Sequence, residues 1–394
     1  MEEIFHKLPY NAMARSKLVS KEWNSIISCQ KFMDDHYNYY RLIEGNHLIV
    51  LSFNSESLDS VYMSSYSNLV KEQSLTSMTI HLQNSATRER FIEPRIVGSC
   101  NGLVALFCYD KFILWNPITT KYSLVSTVEC CPQSCISPYR NLYGLCYDSS
   151  TDEYSVVVLS ALRIEKEIGY EYICISLYNF KDGRERALLG GSFDKRLYDA
   201  KLYNGKIGKV IHGSPHWVVN FYDYTDRFAK TDILYFDSKD ELFKQMTHPG
   251  DYSVTKKLLG LAAIDDENQL GCVLHDIVSS SLEVWVMKEY GKSESWTNMF
   301  TIPYLNVTAN HGLIRYMNVI GSMTSGELLF YLNGDELWIY DVEKGNRREI
   351  NFEDVDFTYV ITYQPTLTSP PEPLKACNTT GRRGARESSN CKLM

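Results

Sequence analysis

A chain of 394 residues, 44% of them apolar, is long enough to bury one large core or two to three smaller ones, and its formal net charge of −8 argues against a nucleic-acid binder, which carries a basic face. No apolar run of the roughly 18 residues needed to span a bilayer is present, and the opening MEEIFHKLPY lacks the charged-then-apolar pattern of a secretory signal. The 11 cysteines are scattered and odd in number, which reads as reduced thiols in a cytoplasmic or nuclear protein, so NVT at Asn306 and NTT at Asn378 carry no weight as glycosylation sites.

The first predicted elements are helical. Ile4, Phe5 and Leu8 are spaced for one helix, which Leu8-Pro9 ends, and Asn11 is the expected cap of the next. Val19, Trp23, Ile26 and Ile27 follow at i, i+4, i+7 and i+8, the spacing of one helical face. From residue 48 the period changes. HLIVLSFN (47–54) reads as a strand, GLVALFCYDKFILWNP (102–117) as two strands around Tyr109-Asp110-Lys111, and DILYFD, LEVWVMK and ELWIYD share one plan of an apolar, aromatic-rich strand ending at a turn. An aromatic content of 13%, with 28 Tyr, suits β structure.

Aligning the turn residues of these units gives Asn54, Asn116, Asn179, Asp237, Lys288 and Asp341, whose separations by subtraction are 62, 63, 58, 51 and 53 residues. A repeat of roughly 50–60 residues is the period of kelch-type propeller blades, so the chain is expected to be mainly β: a kelch-like β-propeller of about six blades. The late strand YVITYQP (359–365) is expected to complete the blade begun by HLIVLSFN, closing the ring with both ends of the chain. Trp115, Tyr235, Trp285 and Trp338 recur on corresponding strands and are expected to pack between blades. Residues 367–394 are rich in Pro, Gly and Ser with an excess of basic side chains, and are expected to form a disordered tail.

Catalytic and metal-binding patterns are weak. His212 and His216 in HGSPH are four apart, but Pro215 spoils a helix between them and no third ligand is evident, so a turn with surface or core histidines is the preferred reading. Cys131 and Cys135 lack a second matching pair, NGKIGK (204–209) lacks P-loop spacing, DDEN (265–268) reads as a hairpin turn, and no G-x-S-x-G occurs. No catalytic residue, metal or cofactor is assigned. The last four residues, CKLM, have the form of a C-a-a-X box that would place a farnesyl group on Cys391. An unmodified tail is preferred, and membrane contact is expected only if Cys391 is prenylated, since one isoprenoid anchors weakly.

LPYNAMARSKLVSKEWNSIISCQKF (8–32) resembles the F-box, the helical module that docks onto the Skp-type adaptor of cullin–RING ubiquitin ligases, with Leu8-Pro9, Arg15, Val19, Lys21, Trp23, Ile26-Ile27 and Phe32 falling where that family places such residues. The segments GSCNGLVALF…LWNPITTKY (98–122), YGLCYDSSTDEYSVVVL (143–159), NGKIGKVIHGSPHWV…ILYFDSKDELF (204–243) and LEVWVMKEYGKSESWTNMF (282–300) resemble, in order, the plant F-box-associated domain. The resemblance implies an F-box at 1–40, N-terminally incomplete because the family's opening Leu-Pro pair is missing, and an F-box-associated propeller at 46–366. It further implies a non-catalytic substrate receptor of an SCF-type E3 ligase. Leu8, Pro9, Leu18, Val19, Lys21, Trp23, Ile26 and Ile27 would bind the adaptor, and the propeller would bind a target protein that the sequence does not name. A propeller binding module that stays outside any ligase because its F-box is incomplete is the alternative, and a propeller enzyme comes third.

Overall fold

The computed structural model describes residues 2–40, 48–53, 60–65, 76–79, 95–108, 111–126, 141–163, 171–188, 207–222, 229–250, 255–264, 269–303, 314, 317–322, 326–333, 336–350 and 357–372. Four short helices come first: α1 (Glu2–His6), α2 (Tyr10–Ser16), α3 (Lys21–Ile27) and α4 (Gln30–Tyr40). All the strands described follow them, and they group into six four-stranded antiparallel blades.

The blades follow the chain in order, each running from an inner to an outer strand. Blade 2 is Arg95–Cys100, Leu103–Cys108, Lys111–Trp115 and Tyr122–Ser126. Blade 3 is Asn141–Asp148, Glu153–Arg163, Glu171–Asn179 and Glu185–Leu188, and blade 4 is Lys209–Ile211, Ser214–Tyr222, Ala229–Asp237 and Leu242–Met246. Blade 5 is Lys256–Ile264, Gln269–Asp276, Ser281–Met287 and Trp296–Pro303, and blade 6 is Met317–Ser322, Glu327–Leu332, Glu336–Asp341 and Asn346–Ile350. Blade 1 is composite. Its inner strand, Phe357–Tyr363, is the last of the chain and pairs antiparallel with Leu48–Phe53, from Leu48↔Tyr363 to Ser52↔Tyr359; Ser60–Ser65 and Thr76–Thr79 complete it. This is the closure expected from the sequence. It leaves neither end of the sheet array as an open template for edge pairing.

The inner strands pack side by side around the axis, with Phe357–Tyr363 lying against those of blades 2 and 6. Parallel bridges join Ala262 to Val319 and Tyr143 to Ile207. So close an approach leaves no room for side chains: a Cβ on Gly260 would stand 2.0 Å from the Met317 carbonyl oxygen, and one on Gly144 would stand 2.4 Å from Pro215 Cβ. A distinct apolar cluster fills each described seam. Val104, Leu106, Trp115 and Tyr363 lie between blades 1 and 2, Val97, Leu114, Leu145 and Val156 between blades 2 and 3, and Leu142, Val157, Trp217 and Leu234 between blades 3 and 4. Because a blade is covered on both faces, its central strands bury successive residues, as in Tyr154–Ser160, and read as apolar runs rather than as alternation. Trp115 and Trp338 are buried in these seams; Tyr235 and Trp285, on the corresponding strands, are half-buried against them.

One turn recurs. In Asn116, Asp148, Asn179, Asp237, Asp276 and Asp341 the side-chain oxygen accepts a hydrogen bond from a backbone N–H two or three residues on, at 2.8 to 3.0 Å for the shortest of each. Four residues after each stands a left-handed residue: Thr120, Asp152, Gly183, Glu241, Ser280 and Gly345. The Asx side chain substitutes for a backbone acceptor and sets up the reversal.

Four expectations need correction. Asn54 does not correspond to Asn116, Asn179, Asp237 and Asp341. Those close the third strand of their blades, whereas Asn54 follows the second strand of blade 1, because ring closure inserts the last strand of the chain ahead of it; Asn54 itself lies outside the described residues. Lys288 has no Asx oxygen, and there the chain makes a longer excursion through a 3-10 turn at Ser293–Ser295. Asn11 lies inside α2, whose N-cap is Pro9, while α3 is capped by Ser20, which accepts from the Trp23 amide at 3.2 Å and so leaves Val19 outside the helix. Residues 367–372 are ordered with the propeller, because Leu367 is buried in the helical core. Tyr109-Asp110, Cys131, Cys135, residues 204–206, DDEN and the chain from 373, including Cys391, lie outside the described residues.

Candidate functional site

The four helices enclose a small core of Phe5, Tyr10, Met13, Ile27 and Phe32, with Leu8, Trp23 and Ile26 half-buried around it. Phe5 meets Trp23 edge-on with ring centroids 4.9 Å apart, and Tyr10 meets His36 edge-on at 4.7 Å. The His36 ring lies 2.9 Å from the Leu8 carbonyl oxygen through Nε2, tying α4 to the α1–α2 link. Burial then holds His36 below the usual histidine range.

The sequence-predicted adaptor residues therefore divide. Ile27 is fully buried and serves the interior. Leu8, Trp23 and Ile26 have one side in the core and the other at the surface. Pro9 and Lys21 are exposed, and Leu18 and Val19, in the turn before α3, stand out at 87% and 64% exposure, with Ile4 on α1 at 65%. An apolar set this exposed in so small a module invites a partner.

The module rests on the turn that closes the third strand of blade 2. Ile118, at the tip of the Asn116 turn, packs into the helical core, and the segment after Tyr363 runs back across the junction. Asn116 organises it. Its Oδ1 accepts from the Ile118 and Thr119 amides, and its Nδ2 donates to the carbonyls of Thr366 at 3.0 Å and Thr368 at 2.6 Å. Leu367, between those two carbonyls, points into the helical core, and Tyr37 of α4 donates to Gln364 Oε1. Sequence reasoning missed this strap: Ile118 is apolar at a turn tip where the Asp148 and Asp237 turns carry serine and lysine, but the Asp276 turn also carries an apolar residue there, the exposed Val278, so no local signal singled it out.

Beside the junction opens a basin of about 530 Å³, walled by Tyr37 and Gln364 on one side and by Asn101, Tyr147, His212, Asp237 and Tyr290 on the other. His212 and Gly213 form a tight hairpin turn with φ of 50° and 76°. His216, fully buried behind it, stacks on Tyr235 at 5.2 Å; its Nδ1 donates to the Ser214 carbonyl at 2.8 Å, and its Nε2 accepts from the Tyr290 hydroxyl at 2.7 Å. Burial pushes this imidazole down to about 4, so it is neutral near pH 7, with both nitrogens engaged by protein groups rather than facing a metal. Burial opposes ionisation of Asp237, yet the Lys244 ammonium 2.7 Å away and the Asp240 and Lys239 amides outweigh it and hold the carboxyl below its usual range. The walls thus offer aromatic faces and hydroxyl and amide groups, which suit recognition.

Residues 46–370 match the family described as F-box associated beta propeller domain. The F-box protein CPR1 of Arabidopsis thaliana is 24% identical over 376 residues, spanning 91% of this chain and 85% of that one. The F-box/kelch-repeat protein At3g23880, also of Arabidopsis thaliana, is 26% identical over 323 residues, 77% of this chain and 79% of that one. Among solved structures, an oligogalacturonate lyase in complex with manganese aligns with a TM-score of 0.39 at 8% identity, over 75% of this chain and 71% of that one, a likeness too slight to bear on chemistry. With six closed blades joined to a four-helix module, and with relatives that match both parts, the chain belongs to the F-box associated beta propeller domain family of F-box proteins.

Proposed function

We propose that this protein is a non-catalytic substrate receptor of an SCF-type E3 ubiquitin ligase, in which α1–α4 dock a Skp-type adaptor and a kelch-like, C-terminal propeller holds a target protein for ubiquitination. The observation that carries this reading is the exposure of Leu18, Val19 and Ile4 on a helical module whose own core is already filled by Phe5, Met13, Ile27 and Phe32. Side chains that the fold does not need are available to a partner, and half-buried Trp23 and Ile26 can serve both core and contact. Such a receptor acts by raising the local concentration of its target near a charged conjugating enzyme, and it needs no nucleophile of its own. The same reading gives it a cytoplasmic or nuclear place of action. Farnesylation of Cys391 would add membrane contact; it predicts an intact mass that has lost the last three residues and gained one isoprenoid in protein made in plant cells.

The test is co-purification of the full chain with a Skp-type adaptor. Leu18→Asp and Val19→Asp place charges on exposed positions, so both variants should melt as the parent does and weaken adaptor binding at least about tenfold by loss of apolar contact. Wild-type protein that ignores the adaptor would leave a propeller binding module acting outside any ligase.

A further inference from the structure

The strap that ties the helices to blade 2 carries a serine with an unusual setting. Ser369 is exposed, one residue beyond the Thr368 carbonyl that Asn116 holds, and its Oγ accepts a hydrogen bond from Lys121 Nζ at 3.2 Å. Lys121 belongs to blade 2, just past the Asn116 turn. Lys17, at the C-cap of α2, lies close enough that burial and then the Lys121 charge hold its ammonium below the usual lysine range. Lys121 thus brings one cation to the hydroxyl, and Lys17, from the helical module, is near enough to Lys121 to feel its charge. Among the described residues no carboxylate forms an ion pair with either of them. The residue after Ser369 is Pro370, the sequence context that proline-directed kinases read.

We propose that Ser369 is a phosphorylation site whose phosphate is received by Lys121, tightening the clasp of the strap on blade 2. In the transfer, Ser369 Oγ attacks the γ-phosphorus of a nucleoside triphosphate bound by the kinase. A new P–O bond forms, the bond to the β,γ-bridging oxygen breaks, the nucleoside diphosphate leaves, and the hydroxyl proton passes to the kinase's base. Pro370 is covered in the docked strap, so the kinase meets Ser369 when the end of the strap lifts, and redocking then seats the phosphate. A phosphoserine brings close to two negative charges and three acceptor oxygens, where the bare hydroxyl makes one bond to one lysine. It would pair the Lys121 cation across the strap and so offset the charge that Lys121 sets against Lys17. The site does not depend on whether the module binds an adaptor.

The experiment installs phosphoserine at position 369 of the full chain and follows hydrogen exchange of residues 364–372. Exchange should slow by about tenfold at low ionic strength, the gain should vanish near about 1 M salt, and Lys121→Ala should abolish it. Unchanged or faster exchange in the phosphorylated chain would overturn the clasp. Treatment of the wild-type chain with a proline-directed kinase and a nucleoside triphosphate should place the phosphate on Ser369 by mass mapping, and phosphate found only at other positions would overturn the assignment of the site.

Discussion

Nine positions separate Leu18 from Ile27, and they do opposite work. Ile27 fills the helical core, so Ile27→Ala should remove about 2–5 kcal/mol from the module, lower its melting temperature, and weaken adaptor binding only through unfolding. Leu18→Asp should do the reverse, with melting unchanged and binding lost. Thermal melts read beside co-purification separate the two. His216 offers a pH signature. Its imidazole titrates at about 4 in the fold, below the ordinary value near 6.5, so the fold favours the neutral ring. The stability this confers is complete above about pH 6.5 and is lost progressively as pH falls toward 4, by up to about 3 kcal/mol at 1.36 kcal/mol per pH unit. His216→Gln should flatten that part of the curve of melting temperature against pH; an unchanged slope would mean that another group carries it. Neither the burial of His216 nor its Tyr290 partner was legible in HGSPH, since Tyr290 is 74 residues away.

At the scale of elements, the strap and the recurring turns decide how parts meet. Asn116 makes four hydrogen bonds through one amide: two cap its own turn and two hold the strap. Asn116→Ala should cost about 2–4 kcal/mol at roughly 1 kcal/mol per bond with two carbonyls left wanting, and should speed hydrogen exchange in 364–372 more than in the blades. Asn116→Asp keeps the turn acceptor but sets a carboxylate against the Thr366 and Thr368 carbonyls, so it should retain the turn and release the strap. If exchange in the strap is the same in both variants as in the parent, Asn116 is not its anchor. The turn itself was readable from sequence as Asn or Asp at the end of an aromatic strand, because the Asx side chain acts locally. The strap was not, because its acceptors lie 250 and 252 residues from the amide that holds them.

For the whole molecule, closure is the decisive event. Phe357–Tyr363 supplies the inner strand of blade 1 and stands against blades 2 and 6, so its removal deprives three blades of a neighbour at once. Truncation before Phe357 should therefore abolish cooperative unfolding and bring aggregation through the exposed edge of Leu48–Phe53, rather than lower the midpoint by a few degrees. Differential scanning calorimetry and gel filtration would show this, and a truncated chain that stays monomeric with one sharp transition would contradict it.

Composition, the change of period at residue 48, the roughly 50–60-residue spacing of turn-ended strands and the apolar and aromatic strand runs were enough, by themselves, to point to a helical module followed by a propeller closed by its own C-terminal strand. Those features are local or repetitive, and a repeating unit announces itself many times along one chain. Tertiary structure alone decided the rest: which apolar residues of the module face inward, that Leu367 is core rather than tail, that blade 1 is out of step with the others, and that Lys121 meets Ser369. Each of these depends on what the closed ring brings near from hundreds of residues away. Such juxtapositions follow from packing and loop closure, and the pattern of side chains along a single segment does not encode them.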